Sequence, residues 1–254
     1  MSRRAVFCVI ASVAAIVAAH AAPSRVHAAP SRAPDPPRGG SPPSSRVRLS
    51  GAPCAGCVAS FTPGPDPAPL LVVLHGDSGH GPAELLSRWD AWLAPKGAAV
   101  LALACPAERG CKGSFWRWNG APSWITQQID GLASRRAIDR KRMWLAGWSG
   151  GASYMGHRTQ ELERTFAALV LHGGGIPPAD DACGHDQRPV FFVVGDRNPL
   201  HHLATSLERH YRACGHEVRW TLLPRADHAG EWRGLDAHGA DIATWLMSKR
   251  IEGA

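Results

Sequence analysis

Short runs of consecutive apolar residues, each separated from the next by a helical stretch, constrain this chain more than any other feature. Residues 70–74 (LLVVL), 98–104, 142–146, 166–171, 190–194 and 218–223 read as strands. Residues 82–93, 124–136, 152–162, 200–213 and 239–249 read as helices, with Pro82 at a first-turn position and Gly97 and Gly215 near helix ends. A strand that is apolar at every position is buried on both faces. Strands interleaved with helices run parallel through right-handed crossovers. The expected architecture is a three-layer α/β sandwich with a mostly parallel sheet. Residues 46–61 add one or two leading antiparallel strands, and no insertion is large enough for a lid domain.

The first 45 residues do not share this pattern. Arg3 and Arg4, an alanine-rich apolar run and Ala19-His20-Ala21 read as a secretory signal peptide over residues 1–21. Residues 22–45 are rich in Pro, Ser, Ala and Arg, bury little apolar surface and read as a disordered spacer. The folded domain is expected over residues 46–254. The formal net charge is +7, but two leader arginines and three spacer arginines against Asp35 carry four of those charges. The domain keeps an ordinary surface charge, which gives no support to nucleic-acid binding. No stable membrane insertion is expected once the leader is removed.

Six cysteines remain after Cys8 leaves with the leader. An even number behind a signal peptide points to disulfides in an oxidising compartment, periplasmic or extracellular. The preferred pairing is Cys54–Cys57, Cys105–Cys111 and Cys183–Cys214, since the first two close short loops. Cys54-Ala55-Gly56-Cys57 has no second C-x-x-C to complete a metal site, so no metal is expected.

Gly147-Trp148-Ser149-Gly150-Gly151 lies between a strand and a helix. A serine on such a turn is pushed out of the sheet, and the glycines avoid collisions with the strand and helix. The helix start aims free N–H groups at whatever the serine attacks. A serine hydroxyl needs a base, and the base needs a partner that fixes its tautomer. In a parallel sheet these belong past the carboxyl ends of strands. His228 follows the last strand, in a short polar loop, and Asp196 follows the strand before it.

With Ser149, Asp196 and His228 in that order, and His75-Gly76 after an apolar strand, the chain from about Leu70 onward resembles the α/β-hydrolase family. Within it, the chain looks most like secreted single-domain esterases of the polyhydroxyalkanoate-depolymerase and feruloyl-esterase-like group. The resemblance implies Ser149 as nucleophile, His228 as base and backbone N–H groups of Asp77 and Gly150 as the oxyanion hole, with the Asp77 carboxylate turned away. It also exposes a departure. Many members carry their aspartate directly before the proline of the acid loop, where this chain has Asn198-Pro199. Asp196 is the favoured acid. Asn198 as an orienting residue, or Asp180 or Asp181 as the carboxylate, are the alternatives. His172-Gly173-Gly174-Gly175 reads as a loop beside the site.

Of the 10 tryptophans, Trp89, Trp92, Trp144 and Trp245 fall on apolar stretches and read as core. Trp116, Trp118, Trp148 and Trp232 fall on loops at the expected rim. Trp116, Trp118 and Trp148 are candidate substrate-binding residues if exposed; otherwise they plug the loop that Cys105 and Cys111 close. The function expected is a secreted serine hydrolase acting on small-molecule or polymeric carboxylic esters, with no cofactor. A peptidase, thioesterase, lipase, acyltransferase or binding protein on the same fold are the alternatives.

Overall fold

The continuous apolar strands form the middle of an eight-stranded sheet, in the order β1-β2-β4-β3-β5-β6-β7-β8. The computed structural model describes residues 47–252 apart from 51–52, 62–64, 78, 110, 112–115, 117, 119 and 181. The expected leader and spacer lie outside the described residues. The strands are β1 (Val47–Ser50), β2 (Val58–Phe61), β3 (Ala68–Leu74), β4 (Ala99–Leu103), β5 (Ile138–Trp148), β6 (Ala168–His172), β7 (Val190–Gly195) and β8 (Val218–Leu223). Strands β3 to β8 pair in parallel. The leading strands are antiparallel, β1 to β2 and β2 to β4, as expected for residues 46–61.

Successive residues of β3 point to opposite faces, and both faces are covered. Leu70, Val72 and Leu74 join one core with α2 (Ser123–Ala133), α3 (Gly150–His157) and α5 (His201–Ala213). Leu71 and Val73 join the other with α1 (Pro82–Leu93) and α7 (Gly239–Met247). Every residue of β3, β4, β6 and β7 is buried, which is why these segments are apolar throughout. β8 lies at one edge of the sheet, and there only Leu223 is buried while Arg219 and Leu222 are exposed.

Two elements differ from expectation. The helix expected over 152–162 divides at Arg158 into α3 and α4 (Thr159–Leu162). The polar segment after β8, expected as a loop, forms α6 (His228–Gly234), and the Asp227 side chain caps it by accepting the Gly230 N–H. Parallel register brings the ends of β3, β5, β6, β7 and β8 to one edge of the sheet, with Leu74 beside Gly147, Gly147 beside Leu171 and Gly195 beside Leu223.

The three expected disulfides are present: Cys54–Cys57, Cys105–Cys111 and Cys183–Cys214. Among the described residues no helix is long and apolar enough to cross a membrane.

Candidate active site

Ser149 sits at the sharp turn between β5 and α3 with φ 51° and ψ −111°, a conformation costly for a residue with a side chain. The flanking glycines make this turn possible. A Cβ on Gly147 would lie 2.6 Å from the Ala152 nitrogen, and one on Gly151 would lie 2.6 Å from the Leu74 carbonyl oxygen. The Ser149 N–H donates to the His172 carbonyl at 2.9 Å, which ties the elbow to β6.

Ser149 Oγ lies 2.8 Å from His228 Nε2. His228 is the first residue of α6, and its other ring nitrogen, Nδ1, lies 2.8 Å from Glu231 Oε2. A carboxylate only accepts, so Nδ1 carries the proton and Nε2 is free to accept from the serine. Glu231 is three residues further along the same helix, a spacing that puts both side chains on one face. Its side chain has no exposure, against 41% for His228. A buried carboxylate needs donors, and three converge here. The Gly195 N–H reaches Oε1 at 2.6 Å, and Asn198 Nδ2 reaches Oε2 at 2.7 Å beside the imidazole.

Asp196 is therefore displaced from the role expected of it. After Gly195 the chain turns outward and Asp196 is exposed. Asn198 is the residue that folds back, 5% exposed, with Nδ2 also donating to the Gly173 carbonyl at 3.3 Å. The 3.4 Å approach of Asn198 Nδ2 to His228 Nδ1 sets two donors face to face and bonds nothing in this tautomer. Asn198 thus holds the carboxylate. Asp180 is exposed and accepts from Gln160; Asp181 lies outside the described residues.

The expected oxyanion donors meet at the elbow. Gly150 opens α3, and a Cβ added to it would lie 2.1 Å from Asp77 Oδ1. The Asp77 carboxylate thus packs on the elbow instead of turning clear of it. Gly76 abuts Ser149, since a Cβ there would lie 3.0 Å from Ser149 Cβ.

No family model matches the chain. It is 29% identical over 139 residues to a bifunctional acetylxylan esterase/xylanase of Neocallimastix patriciarum, covering 52% of this chain and 20% of that protein. The chain thus spans about a fifth of the length of that curated relative. Among solved structures, an S-formylglutathione hydrolase from Staphylococcus aureus superposes with a TM-score of 0.60 at 13% identity, covering 84% of this chain and 99% of that one. A thermostable esterase superposes with a TM-score of 0.58 at 18% identity, covering 81% and 63%. This chain has the α/β-hydrolase fold. The element order, the elbow after β5 and the mostly parallel sheet all agree with it.

On this α/β-hydrolase frame the tryptophans do not form the expected rim. Trp116, Trp118 and Trp148 are 2%, 6% and 3% exposed. Trp118 stacks on Tyr154 at 5.4 Å, and Trp116 packs edge-on against His75 and Tyr154. These two belong to the core that also holds Cys105 and Cys111. Trp148 lies under the His228 imidazole, stacked on it at 4.6 Å and 7° between planes. Such a face favours a cation above it and restrains the ring. Of the tryptophans expected in the core, Trp89, Trp144 and Trp245 are buried and Trp92 is half-buried.

The glycines after β6 keep the site open beside the elbow. A Cβ on Gly173 would lie 2.4 Å from the Trp148 ring and 3.0 Å from Glu231 Oε2. One on Gly174 would lie 2.6 Å from the Ser149 carbonyl oxygen. His172 precedes them, buried against Trp148, with Nε2 donating to the Glu231 carbonyl at 2.7 Å. Burial drives its pKa down to about 3, so it stands neutral beside Glu231.

Proposed function

We propose that this protein is a serine hydrolase cleaving carboxylic esters through Ser149, His228 and Glu231. The observation that carries the reading is the relay itself: Ser149 Oγ to His228 Nε2 at 2.8 Å and His228 Nδ1 to Glu231 Oε2 at 2.8 Å, on a positive-φ elbow. Ser149 Oγ attacks the ester carbonyl carbon as His228 Nε2 takes its proton. Glu231 holds the Nδ1 proton and stabilises the imidazolium, with Trp148 against the ring face. Asp77 and Gly150 N–H groups hold the tetrahedral oxyanion. The imidazolium then protonates the leaving alcohol. A water that gives its proton to His228 attacks the acyl-enzyme, and collapse of the second tetrahedral adduct releases the acid and restores the serine.

The acetylxylan esterase relative makes acetyl esters, including those on polysaccharides, the first substrates to try. Three disulfides support an oxidising compartment, secreted or periplasmic, and so support residues 1–21 as a cleaved leader, 22–45 as a spacer and 46–254 as the catalytic domain. The test is labelling by a fluorophosphonate probe and turnover of p-nitrophenyl acetate, with Ser149→Ala alongside. Labelling and turnover that vanish in the variant are expected. A folded wild type that neither labels nor turns over acetyl, aryl or longer-chain esters contradicts the reading.

A further inference from the structure

One peptide in the site is held by groups with no place in the reaction. The Gly76 carbonyl accepts two hydrogen bonds, from His75 Nδ1 at 2.7 Å and from the Trp116 N–H at 3.3 Å. His75 is 1% exposed, and its Nε2 accepts the Cys105 N–H at 3.0 Å. Those partners leave one tautomer: Nδ1 must carry the proton that Gly76 receives, and Nε2 must be bare to take the proton of Cys105. The ring is thus a two-ended strut from the loop after β3 to Cys105, two residues past the end of β4. Cys105 is closed onto Cys111 by a disulfide, with both sulfurs in the core. Trp116, beyond that loop, packs edge-on against the same imidazole at 5.3 Å.

This matters because a trans peptide is planar, with its C=O and N–H pointing to opposite sides. Fixing the Gly76 carbonyl toward Trp116 and His75 fixes the Asp77 N–H in the opposite direction. Gly76 itself abuts Ser149, and the Asp77 side chain lies on Gly150.

We propose that His75, anchored on the loop closed by Cys105–Cys111, is a positioning residue that aims the Asp77 N–H into the oxyanion hole. The proposal rests on the hydrolase reading above. His75 touches no reacting atom. Its loss leaves the nucleophile and base in place and frees the Gly76–Asp77 peptide to rotate. A misaimed donor weakens the transition state far more than the bound ester, so kcat falls and KM does not.

The experiment compares wild type, His75→Phe, His75→Asn and Cys105→Ala/Cys111→Ala in the full chain. Phenylalanine keeps the ring beside Trp116 and removes both hydrogen bonds. Asparagine keeps a short donor able to reach the Gly76 carbonyl. Three quantities are read: kcat and KM on p-nitrophenyl acetate, affinity for a phenylboronic acid that forms a tetrahedral adduct on serine, and melting temperature.

Expected for His75→Phe is a kcat loss of about 10- to 100-fold with KM within about threefold, and boronate affinity reduced by a similar factor. Asparagine recovers a large part of that loss. The double cysteine variant loses about tenfold in kcat, again with little change in KM. A folded His75→Phe with wild-type kcat overturns the proposal. So does a loss of melting temperature with kcat unchanged in the folded fraction. If the phenylalanine variant does not fold, wild-type kcat in the double cysteine variant overturns it instead. Failure of the hydrolase reading shows separately, in wild type alone, as the absence of Ser149-dependent labelling, and removes the proposal with it.

Discussion

The loops after β5 and β7 stand at the same edge of the sheet, yet they relate to the chemistry in opposite ways. The loop after β5 is the elbow and carries Ser149 where the fold puts a nucleophile. The loop after β7 is where the family resemblance puts the acid, and there Asp196 is exposed and Asn198 folds in. The carboxylate that meets the His228 imidazole is instead Glu231 on α6, three residues further along the chain. Asn198 still points at the same place and now donates to that carboxylate at 2.7 Å. A strained elbow cannot be built from another part of the chain, because it needs a strand end, a helix start and room for Ser149 at once. An acid needs only a buried carboxylate on Nδ1 with donors to sustain it, so several loops can supply one.

The largest effect expected is at Ser149. Ser149→Ala removes the nucleophile and lowers kcat by about 10⁵-fold or more, read as residual turnover of p-nitrophenyl acetate. Next is the acid. Glu231→Gln keeps the shape and removes the charge, and the amide it introduces can present an N–H to the imidazole and favour the wrong tautomer. A loss of about 10⁴-fold in kcat follows.

The contrast between the two loops can be sharpened by moving the charge back. Asn198→Asp in the Glu231→Gln background restores a carboxylate about where Asn198 now stands, and kcat is expected to recover about tenfold or more. No recovery in a folded double variant would mean that the β7 loop can no longer reach the base.

A smaller effect is expected at Trp148. Trp148→Leu removes the face beneath His228 and lowers kcat by about three- to thirtyfold, the worth of one cation–π contact. It leaves Ser149 labelling detectable.

The smallest effect concerns stability. Burial holds His172 neutral down to about pH 3, while an unfolded imidazole takes up a proton near 6.5. Between those values the unfolded chain binds more protons than the folded one. Stability therefore falls as pH falls through that window and is flat above it for this group. His172→Gln is expected to show a shallower fall in melting temperature between about pH 6.5 and pH 4 than wild type. An equal slope in both proteins would show that another group governs the acid limb.

The fold was legible because strands buried on both faces must be apolar throughout, and residues 70–74, 190–194 and 166–171 are. The meeting of Ser149 and His228 was legible because strand ends in a parallel sheet share one edge. Glu231 was not, since it lies in a segment whose Ala229-Gly230 gives no apolar period and which therefore reads as a loop. The Asp227 side chain caps α6, and the helical spacing brings His228 and Glu231 together. The signal was present as a histidine and a glutamate three apart behind a capping aspartate. The tryptophan rim failed for a different reason. Whether Trp116 and Trp118 face solvent depends on Tyr154, which lies over thirty residues away on α3 and closes over them. Composition carries no trace of that contact.

The proposed relay stands or falls on Glu231, rather than Asp196, as the working carboxylate. The most direct test is kcat/KM on p-nitrophenyl acetate for Glu231→Gln beside Asp196→Ala, with fluorophosphonate labelling of Ser149 in both. A loss of about 10⁴-fold is expected in the first and a change within about twofold in the second. A large loss in Asp196→Ala with Glu231→Gln near wild type would contradict it.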